Sequence, residues 1–173
     1  VTYGKQIYQS RKQLLSDLLP EILTLYHYLA GKDDAINIVY QSPLDQNDFS
    51  TLLRTNLSKD KILQRTSSGI HKDDLIITIQ NQSFKQEASQ GQRKSLLFAI
   101  RLAEWIFIRK QKGYPPLLLM DDIFEKLDEQ RMIHLLDWVS QHTDGQVFIT
   151  DTHKERVDKL LSKHVSNFQI IEL

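Results

Sequence analysis

The sequence has no cysteine, only four prolines and six glycines, and no excess charge of either sign: 22 basic and 22 acidic residues lie among 173 positions. Without cysteine there can be no disulfide and no thiolate metal site, which fits a reducing compartment. A formal charge of zero gives no global attraction to nucleic acid, so DNA contact would rest on local basic patches. No apolar run approaches the ~20 residues that a membrane helix needs. No signal peptide is visible after Val1, and a cytoplasmic protein without membrane contact is expected. One motif is also missing. The phosphate-binding loop G-x-x-x-x-G-K-[ST] occurs nowhere, because neither Gly4-Lys5 nor Gly31-Lys32 has a glycine five residues earlier. What is present is 40% hydrophobic residues, enough for a proper core and against wholesale disorder.

Two grammars divide the chain near residue 66. In the first part, Leu15, Leu18, Ile22, Leu25 and Leu29 step by three and four, the seam of a packed helix. Pro20 lies inside that seam and predicts a kink or break near Leu19, and Gly31 predicts the helix end. Ile36, Ile38 and Tyr40 alternate as in a strand, which Ser42-Pro43 closes. Asp48 caps a second helix carrying Phe49, Leu52, Leu53 and Leu57. Residues 1–66 are therefore expected to form a helical, arm-like region with one short strand.

From residue 67 onward, strands alternate with helices. The expected order is a strand from Leu75 to Gln80, a turn at Asn81-Gln82, and a returning stretch from Ser83 to Lys85. A helix follows from Ser89, with Leu96, Ala99, Ile100, Ala103 and Phe107 inward, ending at Gly113 and Pro115-Pro116. A strand at Leu117–Met120 leads to a helix capped by Asp128, with Met132, Leu135, Leu136 and Val139 buried. Then come a strand at Gln146–Thr150, a helix around Val157, Leu160 and Leu161, and a last strand at Phe168–Ile171. Short apolar strands joined by helices predict an α/β fold with a largely parallel sheet.

The chemistry gathers between Ser89 and Asp128. Ser89-Gln90-Gly91-Gln92 opens a helix, whose first N–H groups lack intrahelical partners and suit an anion. Ser89 and Gln92 also spell a capping box, so Ser89 reads as a cap, a phosphate ligand, or both. The apolar strand ends in paired carboxylates. Asp121 suits Mg²⁺, held largely through water, and Asp122 suits positioning or deprotonating an attacking water. Leu127-Asp128 precedes the next helix, where Asp128 serves equally as an N-cap. Together these residues read as half of an ATP site. The histidines His27, His71, His134, His142 and His164 show no metal-ligand spacing.

The order of signature turn, apolar strand with two aspartates, and Leu-Asp turn resembles the ABC-type ATPase heads of the SMC-like class. Within that class it resembles the C-terminal half of the RecF family. Gly69-Ile70-His71-Lys72-Asp73-Asp74-Leu75 is similar to that family's Gly-Pro-His-Arg-Asp-Asp-Leu segment, with Ile70 in place of proline. Ala88 to Arg93 resembles its Ser-Gln-Gly-Gln signature, Leu117 to Asp122 its Walker B strand, and Gln146 to Thr150 its Gln-Val-Phe-Val-Thr strand. The resemblance covers roughly the whole chain, with the arm at 1–66 and the C-terminal half of the head at 67–173.

The resemblance implies an ATP-dependent DNA clamp acting at gapped DNA or single-strand/double-strand junctions, which supports recombinase loading with RecR- and RecO-type partners. ATP would lie between two heads of a dimer. Ser89, Gln90, Gly91 and Gln92 would contact the nucleotide of the opposite head, Leu127 and Asp128 would form the D-loop, and Asp121 and Asp122 would serve their own head. The Walker A half is not in this sequence, so a fragment, truncation or split gene is expected, inactive as an ATPase by itself. His153 lies two residues beyond the position where such heads place a switch histidine, which is Asp151 here. Two other readings remain: another ABC-type ATPase subunit, or an ABC-derived interaction module without ATPase activity. Ile123, where transporter heads carry proline, and the long helix from Arg93 to Lys112 argue against a transporter.

Overall fold

The computed structural model describes residues 1–121, 123, 127–152 and 154–172. By its internal contacts the chain forms two units, Val1–Pro20 with Ala35–Gln86, and Glu21–Asp34 with Glu87–Leu173.

Helix α1 (Thr2–Ala30) contributes to both units. The break expected near Leu19 does not occur, and one helix runs through Pro20. Proline holds a helical φ and removes only one backbone donor. The apolar stripe that continues into the buried Ile22, Leu25 and Leu29 offsets that loss. Gly31 ends the helix at φ +67°, donating its N–H to the His27 carbonyl at 3.1 Å.

In the first unit, β1 (Ile36–Gln41) pairs antiparallel with β2 (Asp74–Ile79), in a register that sets Ile36 opposite Ile79 and Ile38 opposite Ile77. Strand β3 (Gln82–Ser83) returns along β2. The two-residue turn between them puts Gln80 at φ 49° and Asn81 at φ 64°, the positive pair that matches strand twist. After Ser83 the chain enters the short helix α3 (Phe84–Glu87), so the return stroke is shorter than the expected one to Lys85. Ile36, Ile38, Ile79 and Phe84 are this unit's buried apolar side chains. Helix α2 (Phe49–Leu63) starts at Asp48, whose carboxylate accepts the Ser50 N–H at 3.0 Å. It buries no residue fully, and Leu57 is exposed.

The second unit carries the parallel pairing. Strands β4 (Leu118–Asp121) and β5 (Val147–Thr150) lie side by side with Asp121 opposite Thr150. Helix α5 (Glu129–His142) lies between them in sequence, and α4 (Gln90–Lys112) and α6 (Lys154–His164) complete the unit. Its core gathers Leu96, Ala99, Leu102 and Trp105 of α4, Met132, Leu135, Leu136 and Trp138 of α5, and Leu160 and Leu161 of α6. The inward face of α4 is rotated slightly from the expected one, so that Leu102 and Trp105 lie deeper than Ile100 and Phe107. Trp105 can be buried because its indole N–H reaches the Pro116 carbonyl at 2.9 Å. The expected strand at Phe168–Ile171 does not form, and that segment carries no regular structure. Alternation alone cannot make a strand without a neighbouring edge to satisfy its backbone, and Ile171 stays 71% exposed.

Candidate nucleotide site

The turn at Ser89–Gln92, the expected signature, is a completed capping box. The Ser89 hydroxyl accepts the Gln92 N–H at 3.2 Å, and the Gln92 side-chain carbonyl accepts the Ser89 N–H at 2.8 Å. The Arg93 N–H takes the Ser89 carbonyl at 3.0 Å, and Gln90 and Gly91 stand at the positions whose N–H groups have no intrahelical acceptor. Ser89 and Gln90 are exposed, so a ligand can reach them.

Behind this turn lies a buried carboxylate that sequence reasoning missed. Asp34, in the link after α1, receives the Tyr26 hydroxyl at 2.7 Å and the Lys32 ammonium at 2.9 Å, and the Gln92 side chain acts on it as a further donor that lowers its pKa. Burial alone would push its pKa up, but these three donors outweigh it and hold the group below the usual carboxylate range. Gln92 thus braces the turn through its side-chain carbonyl. No local pattern around Lys32-Asp33-Asp34 signals this, since the partner is nearly 60 positions away.

A second brace comes from α5. Asp128 is its N-cap, accepting the Arg131 N–H at 3.0 Å, and the Arg131 guanidinium pairs with the same carboxylate. Burial raises the Asp128 pKa, and the N–H and charge of Arg131 more than reverse this, leaving it lowered. The guanidinium of this side chain, which is 17% exposed overall, also lies against Gly91: a Cβ built on that glycine would be 2.5 Å from Nη1 and 3.0 Å from Cζ. Leu127, just before the cap, is buried.

Asp121, the expected metal ligand, sits exposed at the C-terminal end of β4, where α/β sheets place ligands. Its carboxylate accepts the Thr150 hydroxyl from the adjacent strand end. A carboxylate and a hydroxyl at one strand edge are hard oxygen donors of the kind Mg²⁺ takes alongside water and phosphate. The described residues contain no group of three acidic or histidine ligands, so they would supply only part of a coordination shell. Asp122 and His153 lie outside the described residues.

The remaining histidines take hydrogen-bonding positions. His71 Nε2 lies 3.0 Å from the Thr66 carbonyl, His134 Nδ1 3.3 Å from that of Leu29, and His142 Nδ1 2.9 Å from that of Trp138. His164 Nδ1 lies 2.9 Å from an Asp137 oxygen, and His27 faces Asp33 at 3.7 Å.

No family model matches the chain. Among curated proteins it is 42% identical over 171 residues to the DNA replication and repair protein RecF of Flavobacterium johnsoniae, covering 99% of this chain and 48% of that protein. RecF of Azobacteroides pseudotrichonymphae is 40% identical over 181 residues, again with 99% of this chain and 49% of the relative covered. The chain matches the C-terminal half of RecF. It spans about half the length of the RecF proteins it matches. A solved structure of the recombination mediator protein RecF with ATP, from the RecFOR pathway, superposes with a TM-score of 0.70 at 24% identity, over 88% of this chain and 42% of that one. An SMC head bound to the C-terminal winged-helix domain of ScpA gives 0.52 at 14% identity. The fold is that of the RecF ATPase head, α/β with a parallel sheet and helices. Among the described residues no helix is long and apolar enough to cross a membrane.

Proposed function

We propose that this chain is the signature-bearing half of a RecF-type, ATP-dependent DNA repair and recombination protein, with 1–66 as arm and 67–173 as the C-terminal half of the head. The observation that carries the reading is the match along 99% of the chain to proteins named RecF, joined to an exposed, capped signature turn at Ser89. Mg²⁺ and ATP, when bound, would supply the phosphoryl group and neutralise its charge. Asp121 would hold the metal, largely through water, with Asp122 positioning the attacking water. Ser89 and the N–H groups of Gln90 and Gly91 would reach the terminal phosphate of nucleotide held by a second head, with Leu127-Asp128 as the D-loop beside it. The DNA would be gapped or junction DNA in the cytoplasm, with RecR- and RecO-type partners in recombinase loading.

The test uses a chimera of this chain with the N-terminal half of the Flavobacterium johnsoniae relative. If Ser89 is a phosphate ligand, Ser89→Arg leaves ATP binding by the monomer intact and abolishes dimerisation induced by MgATP. Ser89→Asp keeps the helix cap, because Asp caps as well as Ser, but repels phosphate. Sizing chromatography in MgATP should therefore show monomers for both variants. A normal ATP-induced dimer from Ser89→Asp would sink the phosphate role.

A further inference from the structure

Gly91 does not owe its place to backbone conformation. Its φ is not positive, and it stands in the first turn of a regular helix, where alanine would raise helix propensity. What a side chain there would meet is the Arg131 guanidinium, 2.5 Å from the Cβ position at Nη1 and 3.4 Å at Nη2. Arg131 in turn is not free to swing away at no cost. Asp128 holds it by the ion pair, its side chain is largely enclosed, and its Nε has no hydrogen-bond partner among the described residues. Its charge also acts on the buried Tyr26 phenol, which donates to the Asp34 carboxylate. The turn is thus covered at Gly91 by the Arg131 guanidinium, and that guanidinium is fastened to the Asp128 cap of α5.

We infer that Arg131 is a positioning residue of the signature turn, locking the first turn of α4 to the Leu127-Asp128 turn so that the two engage nucleotide as one unit. The engagement of nucleotide rests on the proposed ATP-dependent reading, whereas the lock itself does not. On this view glycine occupies position 91 to admit the guanidinium, and the Asp128 carboxylate serves both as helix cap and as the anchor of that lock.

Two measurements separate these layers. In the 173-residue chain, Gly91→Ala should lower the melting temperature by several degrees, while the same substitution in an Arg131→Ala background should be neutral or raise it. Additive effects of the two substitutions would overturn the lock. In the chimera, Arg131→Ala should raise the MgATP concentration for half-maximal dimerisation about tenfold and leave monomer ATP binding unchanged, with Arg131→Lys recovering part of the loss through its charge on Asp128. A merely structural Arg131 would lower the melting temperature without moving that concentration, and such a result would overturn the positioning role. If the unsubstituted chimera fails to dimerise with MgATP, the ATP reading falls, and the melting cycle still judges the lock.

Discussion

Asp73 shows what a single carboxylate does in the first unit. Its side chain is 5% exposed and accepts the Tyr40 hydroxyl at 2.6 Å, the Ser42 hydroxyl at 2.6 Å and the Arg11 guanidinium at 2.7 Å. One residue thereby ties α1, β1 and the segment before β2 together. This assigns a structural role within the Gly69–Leu75 segment, since His71 and Lys72 in the same segment face solvent. Asp73→Ala leaves the Tyr40 and Ser42 hydroxyls without their acceptor and should lower unfolding free energy by about 2–3 kcal/mol, read by urea denaturation. A loss below about 0.5 kcal/mol, the level of ordinary surface substitutions, would mean that water replaces the carboxylate freely.

At the scale of elements, the chain tolerates local choices that isolated peptides would not favour. Pro20 leaves the Ser16 carbonyl without its helical N–H, so Pro20→Ala should raise stability by about 1 kcal/mol or more, seen as a higher urea midpoint at unchanged slope. A fall instead would show that the ring itself packs usefully. The β2–β3 turn uses Gln80 and Asn81 at positive φ without a glycine. Asn81→Gly removes the steric penalty of that region and should gain about 0.5–1 kcal/mol, provided that the turn conformation is retained. Unchanged or reduced stability in thermal melts would show that the Asn81 side chain contributes to the turn.

For the whole molecule, acid should be the weak point. Burial pushes Asp34, Asp73 and Asp128 upward, but donors around each outweigh it, and all three lie below their ordinary value; Asp45 is lowered chiefly by the Tyr8 hydroxyl. A carboxylate whose folded pKa is below its unfolded value, near ~3.9, contributes stability in full above that value and loses it as pH falls through the folded one. Stability should therefore be flat from about pH 7 to 5 and fall steeply below about pH 4. Asp73→Asn should flatten that acid limb, and a limb unchanged in the variant would show that other groups control it. Nucleotide behaviour belongs to the same scale. The chain carries no phosphate-loop sequence, so on the proposed split-site reading calorimetry of the chain alone should find MgATP affinity no tighter than about millimolar. Micromolar binding would overturn the split-site reading.

Features whose cause is local could be read directly from neighbouring residues. Caps at Asp48, Ser89 and Asp128 were legible because a side chain satisfies an N–H two or three residues away. The helix ends at Gly31 and Gly113 were legible because positive φ favours glycine. The buried stripe of α5 followed from its 3.6-residue period. Tertiary structure decided whatever needs a distant partner. Strand pairing was one such case: β2 turned antiparallel to β1, while Phe168–Ile171 found no ladder and stayed irregular. The turn at Ser89 was another. Its capping box was readable, but the approach of the Arg131 guanidinium to Gly91 depends on a segment that comes near only when the core of the second unit closes. Arg131 had half a signal, standing three residues after Asp128 on one helix face, yet nothing local could say that its guanidinium would cover Gly91. Local hydrogen bonds and periodicity are written in neighbouring residues. The direction of a long side chain, and the edge a strand will join, are set by the packing of the whole unit.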